Sequence, residues 1–313
     1  MDYITIEQLM TENKLELISG QEGLNRHCVE EMISRPGLEF SGFFDYFDPK
    51  RVVLVGSKDA TFFSKQDPIV RETNVRKIFE LKPPCIVFST KVVVPELFKR
   101  LGDEYGICVL KSNLRTTPTS SKLFNYLQDH LGQTISVHGT FLDINGMGTL
   151  IIGKSGIGKS ETSLDLIKRG HQLIADDLVE ILEKEPGNLI GRAPEILKRF
   201  MEIRGIGIVD VVTMFGAGAY RERKNLRLVV ELEAWNEDKY YDRLGLEEQK
   251  IKYFNTEITK VTIPVLPGRS VSLLVESAAM NEKLKLMGHF AAKEFIQKVD
   301  KKAEGKDQND ELH

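Results

Sequence analysis

Eight consecutive residues restrict what this 313-residue chain can fold into more than any other feature: Gly153-Lys154-Ser155-Gly156-Ile157-Gly158-Lys159-Ser160. They follow the apolar run Thr149-Leu150-Ile151-Ile152 and precede Glu161 to Arg169, which reads as a helix stopped by Gly170. Strand, glycine loop and helix in this order make a full match to GxxxxGK[ST]. Glycines let backbone N–H groups curl around phosphate oxygens, and the helix start adds a dipole that favours an anion. In that geometry Lys159 would reach the β- and γ-phosphates of a nucleotide, and the Ser160 hydroxyl would ligate Mg²⁺. The alternative, a chance glycine-rich turn, fits the flanking strand and helix poorly. No NKxD sequence follows, so ATP is expected rather than GTP. A phosphate cradle alone still leaves kinases, ATPases and nucleotide sensors open, because it does not specify a reaction.

The length is more than one domain usually needs, so two domains are expected, 1–130 and 131–313, each with its own core. A net charge of -3 and a pI near 6.1 offer no general attraction to nucleic acid or anionic lipid. Cys28, Cys85 and Cys108 have no CxxC spacing and are expected as buried free thiols, as suits a reducing cytosol. The N-terminal residues lack the pattern of a secretory signal, and no apolar run reaches a membrane-spanning length of about 18 residues, so a cytoplasmic location is expected.

In the first domain Thr5 to Gln8 has the spacing of a capping box, and Leu9, Leu15, Leu17 and Ile18 fit a short helix running to a Gly20/Gly23 turn. The runs Arg51 to Gly56 and Pro84 to Phe88 read as strands, with a helix from Val70 to Leu81 between them. The polar stretch Lys111 to Ser121 reads as a linker before a helix from Ser121 to Leu131. Strands are expected at Thr134–Val137 and Thr140–Ile144, followed by an Asn145-Gly146 turn. Met280, Leu284, Met287, Ala291 and Phe295 fall on one face of a C-terminal helix, and Asp300 to His313 reads as a disordered tail. There is no internal repeat.

Several residues could choose the reaction. His171 to Ala175 reads as a strand ending in Asp176-Asp177, which places two carboxylates at its carboxyl end near the phosphate loop. Carboxylates there can hold Mg²⁺ or accept a proton. Adjacent strand residues face opposite sides, so the two should not share one job unless a turn intervenes. His138 lies between two expected strands; packing is the commoner role for a lone histidine, and Gly139 beside it permits close backbone approach. The segment Met201-Glu202-Ile203-Arg204-Gly205-Ile206-Gly207-Ile208-Val209-Asp210 puts an acid, a base and two glycines within an apolar strand-like run. Glu202 could complete a Mg²⁺ shell, or the run could be an edge strand with solvated charges. Arg243 and the Pro264 to Arg269 turn read locally as surface.

Taken together, these segments resemble the HPr kinase/phosphorylase family along nearly the whole chain. The resemblance is carried by Arg35-Pro36-Gly37-Leu38, Gly42-Phe43-Phe44-Asp45-Tyr46-Phe47, Val137-His138-Gly139, Gly153 to Glu161 and Lys168-Arg169-Gly170-His171. It continues through Ala175-Asp176-Asp177, Met201 to Val211, Asp242-Arg243-Leu244-Gly245 and Pro264 to Arg269. It implies an α/β fold with a small N-terminal domain similar to the first domain of Mur ligases, possessing a regulatory or assembly role. The second implied domain is a C-terminal P-loop kinase domain related to phosphoenolpyruvate carboxykinase.

The resemblance also implies catalytic roles for His138, Lys159, Asp177 and Arg243, ATP binding by Gly153 to Ser160, and Mg²⁺ ligation by Ser160 and Glu202. Met201 to Asp210 resembles the family signature for both directions of transfer. Pro264, Val265, Leu266, Pro267, Gly268 and Arg269 resemble the loop tied to dephosphorylation, although Ser270 stands where the family commonly has Asn. The implied reactions are ATP-dependent phosphorylation of a serine on HPr, and its reversal by inorganic phosphate with release of pyrophosphate. Also implied are a homohexamer, fructose 1,6-bisphosphate and phosphate as effectors, HPr docking and subunit contacts through the C-terminal helix, and a role in carbon catabolite repression and sugar uptake. Other readings are a nucleotide sensor without catalysis and a small-molecule kinase or carboxykinase-like enzyme.

Overall fold

The computed structural model describes residues 3–241, 248–266 and 268–310, the last ten of these as backbone only. The chain divides into two compact units, Met1–Gly132 and Gln133–His313, both mixed α/β.

In the first unit, five strands lie in the order Glu16–Ser19, Cys108–Lys111, Cys85–Phe88, Val52–Val55, Ile33–Ser34. The last four of these are mutually parallel, and Glu16–Ser19 is antiparallel to its neighbour. The central strands are uninterrupted apolar runs because helices cover both faces. On one face Val53, Val55, Ile86, Phe88 and Val109 pack with Val75, Ile78 and Phe79 of helix Pro68–Glu80 and with Phe98 and Leu101 of helix Glu96–Tyr105. On the other, Val52, Leu54, Val87 and Leu110 pack with Leu9, Leu123 and Leu127. All three cysteines are free and buried in this second layer, and burial pushes the Cys28 and Cys108 thiols up to about 11.

The Thr5 capping box forms as expected, opening helix Ile6–Asn13. The helix stops at Lys14, in the left-handed conformation, so Leu17 and Ile18 belong to the edge strand and not to the helix. The expected linker at 111–121 is also corrected, since helix Thr116–Leu131 begins within it. Pro118 is tolerated there because the first-turn N–H groups have no intrahelical partner. The hydroxyls that made the stretch look like a loop bond locally: Thr119 Oγ1 donates to the Arg115 carbonyl at 2.9 Å and lies 2.9 Å from Ser112 Oγ.

In the second unit, the described residues form a nine-stranded sheet. Its main path runs Gln172–Ala175, Thr140–Ile144, Met147–Gly153, Arg223–Ala234, Asn188–Arg192, Leu178–Glu185, Thr134–His138. Strand Thr256–Val265 joins beside Arg223–Ala234, and Gln249–Tyr253 pairs with it. Only Gly139 separates Thr134–His138 from Thr140–Ile144, yet these strands sit far apart in the order; the same is true of Gln172–Ala175 and Leu178–Glu185, separated by Asp176 and Asp177. The sheet therefore curls back on itself, and the two crossings meet where the Gly139 N–H donates to the Asp177 carbonyl at 3.1 Å. Phe141, Leu150, Ile174, Val179, Ile181 and Val229 fill the space inside the curl. Outside it, Leu142, Ile151, Leu228 and Val230 pack with Leu166 and Ile167 of helix Lys159–Lys168 and with Val275 and Ala279 of helix Val271–Leu286.

The expected single C-terminal helix is two helices, Val271–Leu286 and Ala291–Asp310, broken around Gly288. The first buries Ser272, Val275, Ala279 and Glu282, a different stripe from the expected one, and leaves Met280, Leu284 and Met287 exposed. The segment read as a disordered tail continues the second helix to Asp310.

Gly139 matters to this architecture because a Cβ there would lie 2.6 Å from the Ile151 carbonyl oxygen. Gly139→Ala forces the crossing away from the strand that leads into the phosphate loop, an overpacking that costs about 1–3 kcal/mol. A denaturant titration should show a lower midpoint with an unchanged m-value.

Candidate active site

Strand Met147–Gly153 is parallel to Arg223–Ala234, which is parallel to Thr256–Val265. The loop after Gly153 and the segment after Val265 therefore leave the same, carboxyl-terminal edge of the sheet, where α/β proteins commonly bind ligands. The loop turns through Gly153, Gly156 and Gly158 at φ of 151°, 83° and 101°, values that L side chains seldom adopt. Lys159, at the start of the following helix, is only 8% exposed, and its Nζ donates to the Gly153 and Lys154 carbonyls at 3.0 and 3.4 Å. The lysine thus lies folded against the loop whose phosphate it is expected to hold.

The adjacent carboxylates part at the bend between strands Gln172–Ala175 and Leu178–Glu185, not by strand alternation. Asp176 is 3% exposed and accepts from Thr140 Oγ1 at 2.7 Å, from the Glu202 N–H at 3.2 Å and from Ser160 Oγ at 3.4 Å. Burial holds its carboxyl above the usual range against those three donors, and the neighbouring Asp177 charge adds to the rise. Asp177 adopts φ 68°, which swings its side chain to solvent at 68% exposure, with Oδ1 3.1 Å from His138 Nδ1. One acid lies under the loop serine and the other stands at the mouth.

These groups share a cleft of about 210 Å³ lined by His138, Thr140, Ser155, Gly156, Gly158, Lys159, Ser160, Glu161, Asp176, Asp177, Glu202 and Arg204. Glu202 and Arg204 come from a hairpin of strands Phe200–Ile203 and Gly207–Asp210, and the Arg204 guanidinium rests against Gly156. Among the described residues, no three His, Cys, Asp or Glu side chains are grouped to hold a metal ion by themselves. Ser160, Asp176 and Glu202 instead offer hard oxygen donors beside the loop, a set that suits Mg²⁺, which commonly takes one or two carboxylates together with substrate phosphates and water.

Other expected site residues sit elsewhere. Met201 and Ile203 are buried in the core, and Asp210 caps helix Val211–Phe215 by accepting from the Val212 and Thr213 N–H groups at 2.9 and 3.2 Å. Pro264 and Val265 end a strand, while Leu266, Gly268 and Arg269 form a turn that does not line the cleft. Arg243 and Pro267 lie outside the described residues. Thr140 and the depth of Asp176 were not legible in the sequence. No local pattern marks Thr140, and the flanking strand Gln172–Ala175 is buried on both faces, so alternation could not tell the inner acid from the outer one.

The raised pKa of Asp176 has a testable sign. The stability it contributes is present below the unfolded value near 3.8 and is lost as pH rises through the higher folded value. Relative to the wild type, Asp176→Asn should therefore gain in Tm as the pH is raised from about 4 to 7 in magnesium-free buffer. A constant Tm difference across that range would contradict the assignment.

Comparison with known proteins gives concordant results. The family model described as the HPr Serine kinase N terminus matches residues 4–127, and that of the HPr Serine kinase C-terminal domain matches residues 129–299. The chain is 46% identical over 299 residues to the HPr kinase/phosphorylase of Bacillus licheniformis, covering 96% of each protein. It is 44% identical over 299 residues to that of Bacillus subtilis, again covering 96% of each. The solved structure of the Hpr(Ser) kinase/phosphatase from Coxiella burnetii aligns with 35% identity and a TM-score of 0.46, over 51% of this chain and 98% of that one. With both units matched in order and relatives this similar along almost its full length, the chain belongs to the HPr kinase/phosphorylase family.

Proposed function

We propose that the chain transfers the γ-phosphoryl group of ATP to a serine of HPr and, at the same site, removes it by phosphorolysis. The observation that carries this reading is the division of labour between adjacent acids: Asp176 buried against Ser160, Asp177 exposed beside His138. A nucleotide sensor needs the first of these but has no use for a carboxylate paired with a histidine at the mouth.

In the forward direction Asp177 takes the proton of the serine hydroxyl as its oxygen bonds to the γ-phosphorus. The bond from that phosphorus to the β-phosphate oxygen breaks, and ADP leaves. His138, 3.1 Å away, orients the Asp177 carboxylate. Lys159 and the loop N–H groups hold the phosphates where charge develops, which is usually the largest catalytic contribution. Ser160 with Asp176 or Glu202 would hold Mg²⁺, which when bound would neutralise phosphate charge. In the reverse direction an oxygen of inorganic phosphate attacks the phosphorus of phosphoserine. The serine oxygen leaves and recovers its proton from Asp177, and the new P–O–P bond makes pyrophosphate. Arg243 is assigned to transition-state charge by family resemblance alone. The turn ending in Arg269 leaves the same sheet edge as the phosphate loop, which supports a part in binding inorganic phosphate.

The exposed apolar side chains of the C-terminal helices, among them Leu286, Met287 and Phe295, support a docking role for that region in binding HPr or a neighbouring subunit. Assembly as a hexamer and regulation by fructose 1,6-bisphosphate and phosphate follow from the family resemblance.

The intact mass of HPr incubated with the chain and Mg·ATP should rise by one phosphoryl group. That group should be lost, with pyrophosphate appearing, when ATP is replaced by phosphate. Nucleotide binding with no mass gain would favour a sensor. Asp177→Asn should lower both rates by about 10²–10⁴, the usual contribution of a positioned base. Arg269→Ala should impair phosphorolysis more than phosphorylation; equal losses in the two assays would reject that role.

A further inference from the structure

The hairpin beside the cleft has two faces of opposite character. Met201 and Ile203 point into the core, so Glu202 between them faces outward and lines the cleft, as does Arg204 at the start of the turn. Directly opposed residues of antiparallel strands project to the same face, and Glu202 is paired with Ile208. Ile208 therefore stands next to Glu202 on the cleft side, at 77% exposure, and Ile206 in the connecting turn is 69% exposed. Neither belongs to any buried apolar cluster of the unit.

A scattered exposed isoleucine needs no explanation. Position distinguishes these two. A protein that brings a serine to Asp177 must cover the rim of this small cleft, and this hairpin forms part of that rim. The phosphates are already provided for by the loop and Lys159, and these neutral, branched side chains have nothing to offer an anion.

We propose that Ile206 and Ile208 form an apolar docking face for the protein substrate, received by exposed apolar side chains flanking its acceptor serine. The proposal rests on the HPr-kinase reading above and adds to it which surface grips the protein. In this arrangement one strand pair presents both kinds of recognition: Glu202 and Arg204 turn toward the phosphate site, while Ile206 and Ile208 meet the substrate protein.

The test is steady-state kinetics of the full chain carrying Ile206→Thr with Ile208→Thr, varying HPr and ATP separately. Threonine keeps β-branching and strand preference at exposed sites, so the hairpin should persist. KM for HPr should rise about tenfold, equivalent to one medium-sized apolar contact, while KM for ATP stays within about twofold. The single Ile206→Ala variant in the turn should show the same split at about threefold. An unchanged KM for HPr with an active wild type would overturn the proposal while leaving the kinase reading intact. A shift in KM for ATP instead would assign the face to the nucleotide and also overturn it. A wild type that leaves HPr unphosphorylated would remove the kinase reading and this proposal together.

Discussion

Asp176 accepts hydrogen bonds from three separate segments: Thr140 at the start of one strand, Ser160 at the head of the phosphate-loop helix, and the Glu202 backbone on the hairpin. A buried carboxylate is expensive to leave without partners, so the position of each segment is tied to the other two. The same corner carries both chain crossings of the curled sheet, joined by the hydrogen bond from Gly139 to Asp177. The interaction that organises the cleft is thus inseparable from the fold that forms it. Because Asp176 occupies the inner position, the backbone of Asp177 turns through a left-handed conformation and delivers its carboxylate to His138 in the open.

Chemistry and packing are separated in the same way elsewhere. Helix Lys159–Lys168 sends Leu166 and Ile167 into the outer core while its first residues face the cleft. The hairpin buries Met201 and Ile203 and leaves Glu202 and Arg204 lining the cleft. In the first unit no comparable division appears along the central strands, which are buried on both faces. Their apolar runs carry packing information, and the thiols of Cys85 and Cys108 among them, like that of Cys28 packed against them, are held neutral by burial.

The sequence is legible where a local signal and the final structure depend on the same few residues. The Thr5 capping box, the strands at Val52–Val55 and Cys85–Phe88, and the strand, loop and helix around Gly153 to Lys168 are of this kind. It misleads where tertiary contacts override a local preference. Leu17 and Ile18 continue a helical spacing, but pairing with Cys108–Lys111 draws them into a sheet edge. The hydroxyl-rich stretch before Ser121 has no apolar face, yet its hydroxyls are satisfied locally, Thr119 on the Arg115 carbonyl and beside Ser112, in the helix that starts inside it. Met280, Leu284 and Met287 share a helical face, but the sheet takes the adjacent stripe of Val275 and Ala279.

By itself the sequence determined the glycine loop between strand and helix, since GxxxxGK[ST] specifies backbone conformation and charge over eight neighbouring residues, and it determined the family through ordered motifs along the chain. Only the tertiary structure decided which acid of the Asp176-Asp177 pair is buried, and that His138, distant in the chain from Asp177, stands beside it. It alone brought Thr140 to the Ser160 carboxylate partner and turned Ile208 to the side of Glu202. The physical reason is range: a loop's conformation depends on its nearest neighbours along the chain, whereas burial, pairing register and the facing of a side chain are set by segments that meet only when the sheet curls.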